Sequence, residues 1–302
     1  MADKHHYVPR FYLEGFVDPA RSSFLWVSDI ERMTVRKESP KKAARISGYY
    51  DLHGQEFPNK SILENSLSVF EARATRIIRQ LRNRHFQLPI EDRYHLANFI
   101  GLQLGRVPIF HQHLDNNYEE GANDWLKKYV TRSVKFQGKL DEEAEAFKNY
   151  VLSGKLRIKP QFTDENHRKN FLIVAAIKSG FDYAGVIFGM HWMFLLTKGK
   201  RASFFTSDNP ARLMSPGAKP LEINFKGRNE YLEISFPISP SCTLWMHARD
   251  ERPDIISIDV GEVGADAVDV LNQNILPTIQ KYAYCSTERQ AEWVLSQIQC
   301  LK

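Results

Sequence analysis

Six side chains near the amino terminus combine acid–base, cationic and aromatic chemistry within eight positions. They are His5, His6, Tyr7, Arg10, Phe11 and Tyr12. An imidazole can transfer a proton near neutral pH, a guanidinium can bind an anion, and an aromatic ring can stack on a flat ligand. We therefore predict catalytic roles for His5 and His6. We predict substrate contacts for Tyr7, Arg10 and Tyr12.

A second polar group occurs in the motif SDNP at residues 207–210, directly after an apolar segment. Asp and Asn before Pro are common in turns, but polar groups at strand ends also often form sites. We predict that Asp208 activates a water molecule, with one of the two amino-terminal histidines as its acid–base partner. Ser207 and Asn209 are predicted to contact the substrate.

Two carboxylates could in principle complete a metal site. Glu64 and Glu71 are seven residues apart, so they project from nearly the same side of a helix, and histidine–carboxylate sets can bind transition metals. Glu64 also fits a capping box with Ser61. The sequence contains no HExxH motif or similarly tight spacing. We therefore predict neither a bound metal nor another cofactor.

The stretch from residue 73 to residue 106 is rich in arginine. It contains seven arginines (Arg73, Arg76, Arg79, Arg82, Arg84, Arg93 and Arg106) and only two acids. Arginine is well suited to phosphate recognition, although a solvated helix face would also explain the pattern. We predict that the first three arginines contact nucleic acid. Gln103 lies on an apolar helix face and needs a polar partner, so we assign it, Arg106 and Trp192 to substrate contacts.

Composition places broad limits on the class of protein. The chain has 302 residues, 43% of them hydrophobic, a net charge of +5 and three cysteines. It has no apolar amino-terminal signal segment and no continuous apolar run of membrane-spanning length. We therefore expect a cytoplasmic protein that binds nucleic acid, with DNA as the first candidate, and no membrane. The oligomeric state stays open.

Hydrophobic periodicity predicts helices first and strands later. A hairpin is expected from residues 23–29 and 33–37. Helices are expected at 61–84, 92–106, 119–136 and 140–153, and another begins after Asp164. Further strands are expected at 192–197, 202–206, 231–238, 243–247, 255–258 and 281–286, with helices at 263–275 and 288–299.

This order of elements is typical of an α+β fold. We predict one domain over residues 1–302, with a helical lobe at about 61–190. This lobe is inserted against a mainly antiparallel sheet, formed by the amino-terminal hairpin and the carboxy-terminal strands. The corresponding sheet lobe comprises about residues 1–60 and 191–302. Val8, Phe11, Leu13 and Phe16 should anchor the amino terminus in the core.

The opening segment resembles an uncharacterised bacterial family, a domain of unknown function whose members begin with HHYVP-x-FYL-x-x-F. The likeness continues, in order, through the following positions: Tyr50, Glu64, Glu71, Gln103, Arg106 to Pro108, Trp192, the SDNP motif, and Phe236 to Pro240. The resemblance implies a single full-length domain and a gene of the kind often found in mobile or phage-defence neighbourhoods. It implies no particular activity.

The SDNP turn and the segment FPISPS at residues 236–241 also resemble two loops of uracil-DNA-glycosylase-like enzymes. In those enzymes a carboxylate after a strand activates water, and a histidine-containing loop steadies the leaving base. The second segment has no histidine in this chain. His5 or His6 would have to take that role.

Three hypotheses follow from these residues. The first is a nucleic-acid hydrolase that serves in phage defence. It would either remove a base, as a DNA glycosylase does, or cleave the strand, as a nuclease does. The second is a hydrolase or transferase of a small anionic, nucleotide-like metabolite, for which the outer arginines are irrelevant. The third is a non-catalytic binding or sensor protein, in which the histidines and Asp208 form a structural core.

Overall fold

A computed structural model describes residues 4–20, 23–54, 57, 59–136, 142–199, 202–214, 232–247 and 258–301 of the chain. The helices are α1 (Arg10–Leu13), α2 (Ile62–Arg82), α3 (Ile90–Gly105), α4 (Pro108–Phe136), α5 (Glu142–Leu152), α6 (Glu165–Gly189), α7 (Ala265–Ile275) and α8 (Glu288–Leu301). Short 3-10 turns follow α1 and α7. The Asp164 side chain caps α6 by accepting a hydrogen bond from the His167 amide at 2.8 Å, as expected at a helix start.

The strands are β1 (Lys4–His6), β2 (Leu25–Asp29), β3 (Thr34–Glu38), β4 (Arg45–Ser47), β5 (His191–Thr197), β6 (Thr206–Ser207), β7 (Arg212–Met214), β8 (Glu233–Ser239), β9 (Cys242–His247), β10 (Ile258–Val263) and β11 (Tyr282–Cys285). β1 and β4 form a two-stranded ribbon. A five-stranded sheet has the order β10-β5-β9-β8-β7, and a four-stranded sheet has the order β3-β2-β11-β6. Only the β5–β10 pair is parallel among the described strands. The predicted α+β class is confirmed.

The amino-terminal motif is anchored in the main hydrophobic core. Val8, Leu13 and Phe16 are completely buried, and Phe11 is partly buried against the same core cluster. This cluster also includes residues of α2, α3, β5, β8 and β9. The predicted burial of this segment is therefore confirmed. The motif links the helices to the five-stranded sheet.

Helices α3 and α6 pack with their backbones in close contact. A Cβ atom at Gly101 would lie 2.3 Å from the Gly180 carbonyl oxygen, and one at Gly105 would lie 2.3 Å from that of Ala176. These distances are too short for any side chain. Glycine is required at both positions because the two helices approach so closely. This packing fixes α3, which contributes Gln103 to the polar network described below and is followed directly by Arg106.

Several predicted elements differ from the observed ones. The strands form two sheets rather than one, because the four-stranded sheet packs with α8 over its own hydrophobic cluster. The expected strand at 202–206 is limited to β6, since the Phe204 amide instead donates to the Pro240 carbonyl oxygen at 2.9 Å. The helix expected from residue 119 begins at Pro108, where proline suits the first helical position. Ser61 does not cap α2 with its side chain.

Other predicted boundaries fall partly outside the described residues. This applies to residues 140–141 of the predicted helix that corresponds to α5, residue 231 of the predicted strand that corresponds to β8, and residues 255–257 of the predicted strand that corresponds to β10.

Candidate functional site

A cleft of about 430 Å³ opens beside the SDNP turn. We call it the Asp208 cleft. Its lining comes from the amino-terminal segment, the loop between β3 and β4, the start of α4, and the turn before β11. The lining residues are Tyr7, Arg36, Glu38, Lys42, Ala43, Ala44, Arg45, Ile46, Pro108, Ile109, Asp208, Gln280, Lys281, Tyr282 and Tyr284.

Asp208 is held in the cleft by three backbone amides. Its Oδ1 accepts a hydrogen bond from the Gln280 amide at 3.1 Å, and its Oδ2 accepts from the amides of Lys281 and Tyr282 at 2.7 and 3.0 Å. Burial raises the pKa of Asp208 to about 6, although these amides favour the charged form. The carboxylate is therefore fixed in position and titrates close to neutral pH, as a general base requires.

Two tyrosines beside Asp208 complete the polar floor of the cleft. Tyr7 and Tyr284 are both almost fully buried. Burial raises the pKa of each phenol, and the nearby Asp208 carboxylate acts in the same direction. The Tyr7 and Tyr284 hydroxyls interact as hydrogen-bond partners, which affects the pKa of both groups, although the contact of the Tyr284 hydroxyl lies outside ideal hydrogen-bond geometry. A hydroxyl pair of this kind at a cleft can exchange its mutual contact for one to a polar ligand atom.

The rim of the cleft is mainly cationic. Arg36 pairs with Glu38 at 2.7 Å, and Lys281 pairs with Glu31 at 2.6 Å. The two remaining cations, Lys42 and Arg45, form no salt bridge with a carboxylate in the described part of the chain. Lys42 lies in the basic loop between β3 and β4, and Arg45 is the first residue of β4. The loop and the strand start therefore offer positive charge without a carboxylate partner to a ligand.

A second buried polar cluster lies behind Tyr7, which we call the His5–Arg106 network. It consists of His5, Tyr50, Asp51, Glu71, Gln103 and Arg106, together with the main-chain carbonyl of Tyr7. Gln103 and Arg106 both donate to that carbonyl oxygen, at 2.8 and 3.2 Å. Arg106 also donates to the Gln103 side-chain oxygen at 3.0 Å and to Glu71 at 2.7 Å.

His5 is the amino-terminal member of this network. Its Nδ1 accepts a hydrogen bond from the Tyr50 amide at 2.9 Å, and its Nε2 lies 3.6 Å from the Asp51 carboxylate. The ring also stacks on Tyr50. Both ring nitrogens therefore face protein groups, and His5 does not line the Asp208 cleft.

His6 projects away from His5, as neighbouring residues of a strand do. It is half-buried beside Arg45, and burial together with that cation lowers its pKa.

Glu64, the other candidate metal ligand near His5, is half-buried. Burial raises its pKa, whereas the nearby His5 and Arg106 act to lower it. Within the described residues, no three His, Cys, Asp or Glu side chains are grouped so that they could hold a metal ion.

The remaining predicted substrate contacts occupy different environments. Arg10 is exposed and pairs with Glu14 at 2.8 Å. Tyr12 is fully buried and donates to the Pro237 carbonyl oxygen at 2.7 Å. Trp192 is fully buried and donates to the Ile187 carbonyl oxygen at 2.9 Å. None of the three lines the cleft.

The other two residues of the SDNP turn shape the turn itself. The Ser207 hydroxyl donates to the Asn209 carbonyl oxygen at 3.0 Å, and the Asn209 amide donates back to that hydroxyl at 3.1 Å. Their contacts are therefore local. They hold the backbone that carries Asp208.

The arginine-rich helices are partly explained by internal contacts. Arg82 donates to the carbonyl oxygens of Phe11, Tyr12 and Ile238. The Arg93 guanidinium lies over the Trp192 ring and donates to two carbonyls at the end of α6. These arginines connect elements of the fold.

The three arginines predicted to contact nucleic acid lie on α2, outside the cleft lining. Arg76 forms a salt bridge with Asp92. Arg73 lies 3.4 Å from His95, and Arg79 is exposed. Exposed cations remain on α2, but fewer arginines are free to contact nucleic acid than the sequence suggests, because Arg76 and Arg82 have partners within the chain.

Sequence reasoning missed Lys42, Arg45 and Tyr284 as site residues. The loop around residues 37–45 is visibly basic in the sequence, which was the available signal for the two cations. No local signal marks Tyr284, since a tyrosine in a strand is ordinary. Its position depends on the pairing of β11 with β6, in which Tyr284 is opposite Thr206.

Comparison with known proteins covers most of the chain. Residues 4–288 match the family model DUF4238, described as a protein of unknown function. No curated protein and no solved structure matches the chain. The matched region contains the amino-terminal motif, the His5–Arg106 network and the Asp208 cleft. The chain therefore belongs to the DUF4238 family.

Proposed function

We propose that this protein is a hydrolase that binds a nucleotide unit of nucleic acid in the Asp208 cleft and uses Asp208 as the general base. The observation that carries the proposal is a buried carboxylate with a pKa of about 6, facing a cleft with unpaired cations. Perturbed carboxyls in clefts are common among catalytic groups.

The charge of the cleft favours a phosphate-bearing ligand. Lys42 and Arg45 contribute two positive charges without carboxylate partners among the described residues. Their attraction for phosphate is strong because charged hydrogen bonds to phosphate are about twice as strong as neutral ones. A phosphate at the basic loop would leave the rest of the ligand facing Asp208.

The shape and lining of the cleft suit a single nucleotide. Its volume of about 430 Å³ falls within the usual range for small-ligand sites. Pro108 and Ile109 give an apolar wall, and Tyr282 adds an aromatic ring. Enzymes that act on a base often turn the nucleotide out of the duplex into such a pocket.

The proposed reaction is hydrolysis by an activated water. Asp208 accepts a proton from water, and the water oxygen attacks the reacting centre. In base removal the oxygen bonds to C1′, the C1′–N bond breaks, and its electron pair leaves with the base. In strand cleavage the same oxygen attacks phosphorus and the P–O bond to the leaving nucleotide breaks. Its electron pair leaves with that nucleotide's oxygen, which takes up a proton to become a hydroxyl. Tyr7 and Tyr284 are placed to hydrogen-bond the polar groups of the substrate.

A free nucleotide-like metabolite is the second candidate substrate. It is favoured by the limited size of the cleft and by the pairing of Arg76 with Asp92, which removes one cation from the predicted nucleic-acid surface. Replacing Arg73 and Arg79 by Glu separates the two candidates. Activity on DNA or RNA should fall steeply in this variant, whereas activity on a free nucleotide should be unchanged.

The test is a cleavage assay on plain and modified DNA, on RNA and on free nucleotides, with and without EDTA. Each product is divided into an alkali-treated and an untreated sample. Wild type is compared with Asp208→Asn, Tyr284→Phe and the control Asp92→Asn, which changes another buried carboxylate outside the cleft. Circular dichroism establishes that each variant is folded.

Breaks that appear only after alkali and resist EDTA would assign base removal, and direct breaks would assign strand cleavage. In either case Asp208→Asn should lose the activity and Asp92→Asn should keep it. Full activity in folded Asp208→Asn would overturn the proposal. So would the absence of product on every substrate, which would favour a binding or sensor protein.

A further inference from the structure

Helix α6 has an unusually apolar surface that the described chain covers only in part. Phe171 packs against Phe162 and Phe181 against Phe70, but both remain more than a third exposed. Helix α6 is the one helix of the described residues that is long and apolar enough to cross a membrane, by length and composition only. Only 28% of its most apolar 18-residue window is buried. Phe171, Val174, Phe181 and Val186 are each 37–51% exposed. We call these residues, with Lys178 and Asp182 between them, the α6 face.

The opposite side of α6 is committed to α3. The Gly180 carbonyl oxygen and the Ala184 amide lie where a Cβ atom on Gly101 would be, at 2.3 and 2.7 Å. This contact belongs to the interior of the helical lobe. The α6 face is therefore the outward side of a helix that is fixed in the fold.

The charges on the α6 face form a self-complementary pattern. Lys178 and Asp182 are the only charged residues from 170 to 190, and both are exposed, with their charged atoms 2.6 Å apart. They lie two residues before and two residues after Gly180. A two-fold axis at this point, between antiparallel copies of α6, places Lys178 opposite Asp182 of the partner subunit.

We propose that the α6 face is a homodimer interface, in which two copies of α6 pack antiparallel about this axis. Isologous contacts of this kind are the commonest way in which identical chains associate. The apolar side chains on either side of the charged pair supply the buried surface, and contiguous exposed apolar surface commonly marks an interaction site.

The charge of the face favours a second copy over a lipid surface. Helices that lie on membranes typically carry a polar face rich in Lys and Arg. The α6 face has one cation and one anion, so it has no net attraction for anionic lipid. An ion pair at its centre would also be costly to bury in hydrocarbon.

One glycine supports a close approach at this face. Gly185 is an exposed residue within α6, and a Cβ atom there would meet nothing within 4 Å. Glycine weakens a helix interior relative to alanine, and no contact with a described residue requires it at this position. The backbone of a second helix would explain the missing side chain.

The test is sedimentation velocity of the full chain from about 1 to about 100 µM, a range typical of measurable association. Wild type should sediment as a dimer at the upper end. Val174→Asp should be monomeric at every concentration, with its fold checked by circular dichroism. The matched control is Val270→Asp on α7, where the valine is 57% exposed, and it should dimerise as wild type does.

Charge variants test the two-fold arrangement itself. Lys178→Glu places two acidic residues opposite each other at both ends of the contact and should raise the dimer dissociation constant about tenfold or more. The double variant Lys178→Asp, Asp182→Lys restores the opposite charges and should dimerise again. Equal dimer dissociation constants for Lys178→Glu and for the double variant would contradict the proposed axis.

Two results would overturn the proposal. The first concerns sedimentation: either the wild type is monomeric at about 100 µM, or the Val174→Asp variant sediments as the wild type does. The other is flotation of a monomeric protein with phosphatidylcholine vesicles, abolished by Val174→Asp. That result would show that lipid covers the face.

Discussion

The Asp208 cleft and the His5–Arg106 network contain similar side chains but differ in what those side chains bind. In the network, the hydrogen-bonding groups are turned mainly toward one another and toward the Tyr7 carbonyl. In the cleft, Asp208 and Tyr284 face a cavity whose rim carries unpaired cations. Tyr7 belongs to both regions, with its carbonyl in the network and its ring in the cleft.

This difference separates a structural role from a functional one better than residue type does. A buried polar group that contacts only protein stabilises the fold through its partners, whereas one that also lines a cavity, as Asp208 does beside its three amide donors, can bind a ligand. On this basis the network fixes the position of Tyr7, and the cleft binds the substrate. Variants in the network should therefore change stability first, and variants in the cleft should change ligand binding or activity first.

The largest expected effect on stability is that of Arg106→Met. The Arg106 guanidinium is buried and connects Glu71, Gln103 and Tyr7. Breaking a buried ion pair from one side typically costs about 3 kcal/mol or more. Urea denaturation should show that loss in the free energy of unfolding. A loss of under about 0.5 kcal/mol, the level of an ordinary surface change, would remove Arg106 from the structural network.

A smaller loss is expected for Gln103→Leu, which keeps the volume but removes the polar atoms. The variant loses the 2.8 Å bond to the Tyr7 carbonyl and the acceptor for Arg106. The free energy of unfolding should fall by about 1–3 kcal/mol. Gln103→Glu keeps the acceptor for Arg106 and is the matched comparison. If Gln103→Glu loses as much free energy of unfolding as Gln103→Leu, the oxygen that accepts from Arg106 contributes nothing to stability.

The pH dependence of stability should reveal the buried Asp208 carboxyl. Its pKa of about 6 in the folded protein lies above the ordinary value of 3.8, so the folded state binds the proton more tightly than the unfolded state. The contribution of this group to stability is therefore present below about pH 4 and is lost as the pH rises through about 6. Thermal unfolding of wild type and Asp208→Asn between these pH values would isolate this slope. An identical slope in both proteins would show that Asp208 does not titrate in this range.

A still smaller effect on stability is expected for Tyr284→Phe in the cleft. The contact of the hydroxyl with Tyr7 lies outside ideal hydrogen-bond geometry, so its removal should lower the free energy of unfolding by about 1 kcal/mol or less. Binding of a nucleoside 5′-monophosphate, measured by calorimetry, should weaken about tenfold, as expected when one ligand hydrogen bond is lost. The same binding in wild type and variant would place the ligand elsewhere.

The smallest effect is expected for Arg10→Ala. Its salt bridge with Glu14 is exposed, and such pairs contribute at most about 1 kcal/mol. Neither melting temperature nor nucleotide affinity should change measurably. A clear loss of affinity would restore Arg10 to the substrate contacts predicted from the sequence.

Local patterns were enough to predict most secondary structure and the burial of the amino-terminal motif. The apolar periodicity of α2 reproduces its buried stripe, whereas α3 is buried at nearly every position and β2 on both faces. Short-range spacing therefore predicted these elements but not how many of their sides are covered. Long-range contacts could not be predicted in this way. Whether Arg82 meets a phosphate or three carbonyls of its own chain depends on how α2 packs against α1 and β8.

The candidate site illustrates the same limit. Asp208 was identifiable from its motif, and Gln103 from its place on an apolar helix face. Their separation into the cleft and the network was not, because it depends on which side of Tyr7 each side chain reaches. The basic loop and the turn before β11 line the same cleft. This proximity is likewise tertiary, and no short sequence pattern predicts it.

The most direct test of the division between cleft and network compares two matched variants in one experiment. Arg45→Ala changes the cleft and Gln103→Leu changes the network, and each is measured for both the free energy of unfolding and nucleoside 5′-monophosphate affinity. We expect Arg45→Ala to lose affinity with little loss of stability, and Gln103→Leu to lose stability while binding within a few-fold of wild type. The reverse result, with affinity lost only in Gln103→Leu, would contradict the account and place the functional site in the network.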